Sequence, residues 1–379
     1  MSHPLFKYLS LPKSDFALPR MTIQGLLCLA LLFTIANSNA SEELTTEQWK
    51  QFNINTVEHY IVPNYVALEV AAERLHAANQ LLCNTPTKDK LEASKSSFID
   101  TMAAWQAIQN VRFGPVEISE RHYSMQFWPD KKNHIGKRLK QLITSQDSAS
   151  LGDSFTTLPI SIKGLPAIER LLFSENLLSD DKTSSFECEV LNRISLEVHT
   201  VTKALATEWQ NQMVPQFNDA KQLDGYFEDD IDAATTLLKA LVEPIEYIRD
   251  LKLQRPMGSD TKHTNGKRLE SWRSKQSKQN LEYNLASLKQ FYTLAGTNGE
   301  ATSLRKLIGK DALLIDKLFE QTEHALNRIA TPMHESIETP SGFAAASELL
   351  ESLTQLHQQL SSTLTEMGIH LGFNSRDGD

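Results

Sequence analysis

The sequence predicts an all-α protein built of antiparallel helical bundles. After residue 40, apolar residues recur at three- and four-residue intervals over nearly the whole chain. The Val, Ile and Thr alternation of strands is missing. The periodic stretches are separated by breakers such as Gly114-Pro115 and Arg255-Pro256-Met257-Gly258. Long helices joined by such turns pack side by side as bundles.

The elements follow in order. Thr45 with Gln48 has the form of a capping box. The helix it opens runs to Leu82 on Val66, Val70, Leu75, Ala78 and Leu82, and Pro63 should kink or split it. A second helix from Thr87 carries Leu91, Phe98, Met102, Trp105 and Ile108 on one face and stops at Gly114-Pro115. Residues 116–132 are irregular and aromatic, a short helix spans 135–144, and the polar run 145–157 reads as a loop. Helices are then expected over 165–178, 184–213, 227–253, 276–294, 311–337 and 344–370. Gly136-Lys137-Arg138-Leu139 is echoed by Gly266-Lys267-Arg268-Leu269, each after a long helix and a Pro/Gly breaker, which is compatible with a duplicated bundle.

The N-terminus reads as a secretory signal peptide. Lys7, Lys13 and Arg20 precede the apolar run Gly25–Ala36, and Ser38-Asn39-Ala40 offers a cleavage site near Ala40. The apolar run is too short for a bilayer span. The long lead before Met21 leaves either Met1 or Met21 as the start. Removing residues 1–40 takes away three basic residues and one acidic one, so the net charge goes from -9 to -11. An acidic chain without a basic block is a poor nucleic-acid binder. Of three cysteines, Cys83 and Cys188 remain after cleavage. In an oxidising compartment they are expected to pair, closing a loop of about a hundred residues.

Chemistry is sparse. There is no His-Glu-x-x-His, no Gly-x-Ser-x-Gly, no P-loop and no dinucleotide fingerprint. His334 with Glu338 and Glu320 with His324 have one-turn spacing, which solvated helices produce readily. The most distinctive stretch is Ser161–Phe173, SIKGLPAIERLLF. Pro166 suits the start of a helix. Glu169 is then expected in the first turn, as a plain cap or as a positioned carboxylate.

"KGLPAIERLLF" (163–173) resembles the signature region of the imelysin-like, iron-regulated proteins of Gram-negative envelopes. "AAWQAIQNVRFGPV" (103–116), "FWPDKKNHIGKRL" (127–139), "ESWRSKQSKQNLEYNLASL" (270–288) and "LGFNSRDGD" (371–379) match in the family's order. The resemblance implies a secreted all-helical protein of two related bundles around a shared cleft, with the motif segment near their junction. It divides the chain into a signal peptide (1–40), an N-terminal bundle (41–220) and a C-terminal bundle (221–379). The family's Gly-x-His-x-x-Glu motif has been read as a metal site and a peptidase centre. Here Gly164 and Glu169 keep the motif and Pro166 replaces its histidine, which argues against both at this point, since zinc needs three or four ligands. Residues of the matching segments expected at the cleft are Glu169, Gly164, Arg112, Trp105, Tyr123, Arg273, Asn374 and Asp377, with Trp128 and Trp272 beside them.

The function so implied is a non-catalytic, periplasmic or outer-membrane-associated binding protein for iron or another divalent metal nutrient, taken as a small ligand or metal complex. The alternatives are a metallopeptidase-like hydrolase and an interaction module docking on an outer-membrane transporter.

Overall fold

The computed structural model describes residues 44–174, 176–178 and 182–372. The expected signal peptide, and Asn374 and Asp377, lie outside the described residues. Residues from Leu44 onward form one compact unit. Among the described residues there is no strand, and no helix is long and apolar enough to cross a membrane.

The principal helices are α1 (Thr46–Thr56), α2 (Val62–Asn84), α3 (Lys88–Ile108), α4 (His134–Ser145), α5 (Leu165–Leu172), α6 (Lys182–Glu208), α7 (Asp230–Tyr247), α8 (Ser277–Thr293), α9 (Ala312–Asn327) and α10 (Pro340–Glu366). The Thr45/Gln48 capping box forms with both halves present. Three π-helical turns, Val57–Ile61, Trp209–Met213 and Ile248–Gln254, each run directly into a short or long helix with proline near its start: Pro63, Pro215 and Pro256. Proline has no N–H to give and its ring crowds the carbonyl four residues back, so widening the turn before it relieves the conflict without ending the helix. The expected split at Pro63 therefore takes the form of a π turn. The expected helix 165–178 stops at Leu172, and the expected helix 311–337 stops at Asn327 and resumes as a short turn after Pro332. The polar run 145–157 is wound into two 3-10 turns.

α2 packs on α3 and α6, with α4 and α5 against this group; α7 packs on α10, which packs on α9, which meets α8. The two groups join where α3 lies on α8 and α1 on α7. Aromatics fill the first core, with Trp209 stacked on Tyr65 at 5.6 Å between centroids and Phe113 edge-on to it at 5.4 Å. Buried Tyr60 ties the groups together. Its hydroxyl meets Asn110 Oδ1 at 2.8 Å and Ser287 Oγ at 2.6 Å, and its ring lies 5.0 Å from Phe291. A disulfide joins Cys83 at the end of α2 to Cys188 in α6, with Cα atoms 5.4 Å apart.

Candidate functional site

The site begins with Gly164. A Cβ there would lie 2.3 Å from the backbone oxygens of both Ser124 and Met125, so only glycine lets this strip of chain pass. Its φ of -115° is ordinary extended backbone, so the requirement is space and not conformation. α5 starts immediately after, with Pro166 as its second residue, where a missing N–H costs nothing.

Glu169 is not in the first turn, contrary to expectation; it is the fifth residue of α5 and caps nothing on its own helix. It is 5% exposed. Its Oε1 accepts from the Ser274 backbone N–H at 2.9 Å and from Ser274 Oγ at 2.7 Å, across 105 residues of sequence. Burial pushes the Glu169 carboxyl above its ordinary value, against the two Ser274 donors and the nearby guanidinium groups of Arg273 and Arg170.

The partner segment is held in shape by its own polar contacts. Ser271 and Lys275 adopt positive φ values of 52° and 61°, which bends the chain back so that Ser274 points at α5. Ser277 Oγ donates to the Glu270 carbonyl at 2.7 Å, and Asn280 Nδ2 donates to Ser271 Oγ at 3.0 Å. The Glu270 side chain turns inward to a buried network. Its Oε2 accepts from Lys252 Nζ at 2.9 Å, Asn280 Nδ2 at 3.0 Å and Gln106 Nε2 at 3.1 Å, and its Oε1 accepts from Gln126 Nε2. Lys252 also donates to Gln106 Oε1 and Asn284 Oδ1, both at 2.7 Å, so all three of its protons have partners. Burial pulls the Lys252 ammonium below its ordinary value, and Glu270 opposes that.

Glu169, Pro166 and Arg170 of α5, the segment Trp128–Lys131, and residues 267–273 surround a cavity of about 500 Å³. Asp130 caps α4, accepting from the backbone N–H of His134 at 2.7 Å and of Ile135 at 3.0 Å. Arg170 reaches back to Asn133 Oδ1 at 2.7 Å and lies 3.8 Å from Asp130. Arg273 lies over the Trp272 ring, 4.3 Å from its centroid.

Of the residues expected at the cleft, Glu169 and Arg273 line this cavity, with Trp128 and Trp272. Gly164 does not line it and serves the close packing against Ser124 and Met125. Arg112, Trp105 and Tyr123 are not brought there. Arg112 lies over Tyr247, 4.3 Å from the ring centroid, in a separate cavity of about 170 Å³. Trp105 is fully buried, gives its indole N–H to Gln126 and faces His122 at 5.3 Å. Tyr123, 54% exposed, stands outside on a short helical turn, Arg121–Met125. Sequence reasoning missed Arg170, Arg255, Lys267, Arg268 and Ser274. Lys267 and Arg268 belong to the Gly-Lys-Arg-Leu echo, which was a signal, although the two copies fold differently: one inside α4, the other as a 3-10 turn over Gly266–Arg268. Among the described residues, no three His, Cys, Asp or Glu side chains converge to hold a metal ion.

An all-helical fold with a polar cavity behind a Gly-x-Pro-x-x-Glu helix start defines a class, and sequence comparison agrees with it. The family model for imelysin matches residues 61–360, so the chain belongs to the imelysin family. Two solved structures are similar in fold. An imelysin-like protein from Psychrobacter arcticum 273-4 has a TM-score of 0.69 at 18% identity, covering 87% of this chain and 98% of that one. An iron-regulated protein A precursor from Parabacteroides distasonis ATCC 8503 has a TM-score of 0.74 at 16% identity, covering 87% and 97%. No curated protein sequence matches the chain.

Proposed function

We propose that this chain is a non-catalytic binding protein of the Gram-negative envelope that serves uptake of iron or another metal nutrient, taking it as a small complexed ligand in the Glu169 cavity. In this reading, the chain is exported by its N-terminal signal, acts in the periplasm or at the outer membrane, and hands its ligand to a transporter there. Two bundles, 41–220 and 221–379, meet at the cavity. The observation that carries the reading is the convergence of three distinctive sequence segments, 127–133, 163–173 and 266–274, on one cavity of about 500 Å³ walled by guanidinium and indole groups. That size suits a small molecule. The position of the family's motif histidine is Pro166, on the cavity wall, and it offers neither a metal ligand nor a base. The iron link is suggested by the name of the Parabacteroides relative.

The test is metal analysis of the protein isolated without chelators from its own envelope, beside its expression with and without iron. Iron retained in a low-molecular-weight complex, with expression rising on iron starvation, is expected. Casein cleavage abolished by a chelator would favour the hydrolase. Co-purification with a transporter and no retained ligand would favour the interaction module.

A further inference from the structure

The proposed function leaves the chemistry of the ligand open, and the charges around the cavity narrow it. Six basic side chains line the cavity, Lys131, Arg170, Arg255, Lys267, Arg268 and Arg273, against three acids, Asp130, Glu169 and Glu270. This excess of positive charge sits in a chain whose net charge is -9. It is also less compensated than the count suggests, because Glu270 is already paired with Lys252, while Asp130 and Glu169 keep their charge but turn acceptor oxygens to donors other than these cations. Asp130 holds the N-terminus of α4, Glu169 accepts twice from Ser274, and Glu270 is closed off by Lys252, Asn280 and two glutamines.

Arg170 is matched by Asn133 and Asp130, but Arg255 and Arg273 are not matched in this way. Among the described residues, Arg255 Nη1 is buried without a hydrogen-bond partner. Among the described residues no carboxylate lies within ion-pair distance of Arg273, whose guanidinium rests on Trp272 with Lys267 Nζ 5.7 Å from the same ring centroid. Burial and then the charge of Arg170 pull Arg273 below its ordinary value, and burial does the same to Arg170, in each case against the opposing pull of Glu169 and Asp130. A buried guanidinium with an unused donor is costly, and an anion that accepts from it removes that cost. Arginine forks match planar carboxylate and tetrahedral phosphate oxygens, often two at a time. The same charges repel a bare divalent cation.

We infer that the Glu169 cavity is built for a small, multiply charged oxyanion, a polycarboxylate or phosphate, held by Arg255, Arg273 and Lys267 against the Trp272 face. This rests on the reading of the cavity as the ligand site. It means that any metal cargo arrives inside an anionic shell and not as a free ion.

Titration calorimetry on the mature chain tests this with citrate, ferric citrate, inorganic phosphate and free zinc as probes. Binding of citrate, ferric citrate or phosphate is expected, weakening with added salt, and the arm that responds identifies carboxylate or phosphate as the chemistry. Arg273→Gln should weaken it at least tenfold. The exposed pair Lys267→Gln/Arg268→Gln should weaken it several-fold, and supplies the readout if Arg273→Gln does not fold. Arg305→Gln, at a surface ion pair with Asp316, should leave it unchanged. A neutral or cationic ligand, bound equally or more tightly by Arg273→Gln and by the exposed pair, would overturn the anion assignment and leave the binding function standing. No binding of any probe, together with no ligand retained from the native envelope, would overturn both.

Discussion

Single residues decide whether the motif segment is a cap, a strut or a site. Glu169 accepts two hydrogen bonds from Ser274 yet has no arginine within ion-pair distance among the described residues, so its charge does not hold the fold together. Glu169→Gln keeps an acceptor for both Ser274 donors and removes a buried charge; in urea melts at neutral pH it should change stability by no more than about 1 kcal/mol. Glu169→Ala strands the Ser274 N–H and should cost about 1–3 kcal/mol. The pH dependence has a definite sign. A carboxyl raised above 4.5 binds its proton more tightly in the folded state. Its contribution is full below 4.5 and is lost as pH rises through the folded value, so wild type should lose stability relative to Glu169→Gln between acid and neutral pH. A gap moving the other way would contradict the burial argument. Gly164→Ala should cost about 3 kcal/mol or more, because the obstructing atoms are backbone oxygens that cannot step aside. Glu169 and Gly164 were both legible in the sequence as special positions, but their reasons were not. Glycine's reason is the Ser124 and Met125 carbonyls, and glutamate's is a serine 105 residues away. Local pattern reports neither.

At the scale of elements, the segment from Ile248 to Met257 joins fold to site. Its π turn, imposed by Pro256, carries Lys252 into the buried network and is followed by Arg255 at the cavity. Lys252→Met should cost about 3–5 kcal/mol, since it leaves the Glu270 carboxylate buried without its cation. The double variant Lys252→Met/Glu270→Gln should cost less than the sum of the single changes, and a double-mutant cycle by denaturant melts measures the coupling. Additive effects would mean that the two charges do not act as a pair. The sequence announced most of the helices because apolar periodicity and proline/glycine breakers are local signals. It overran α5, α7 and α9 because an amphipathic stripe continues past the point where the backbone leaves the α-helix: after Leu172 in α5, into a π turn at Ile248 after α7, and at Arg328 after α9, where helix resumes only at Met333. Arg112 and Trp105 show the corresponding limit for site residues. Both lie in segments that resemble the family, but the faces of α3 and its following turn direct one to another cavity and the other to the core.

Over the whole molecule, the Cys83–Cys188 bridge ties α2 to α6 and the Tyr60 contacts join the two helix groups, while the cavity wall gathers positive charge in an acidic chain. Closing a loop of 105 residues is worth about 4–5 kcal/mol in the loop-entropy account, so reduction or Cys83→Ser/Cys188→Ser should lower the urea midpoint accordingly. Two reactive thiols in the denatured, unreduced mature protein would show that the bridge does not form. The pairing was legible from the cysteine count and the oxidising compartment that the N-terminal sequence led one to expect. The cationic wall was not, because its residues come from four separated stretches and only the fold assembles them. Native mass spectrometry of the protein purified from its native source tests the central claim most directly. The account predicts a retained small anionic species, free or bound to iron, in wild type and its loss in Arg273→Gln. Wild type free of any retained mass, or the same mass retained undiminished by the variant, would contradict it.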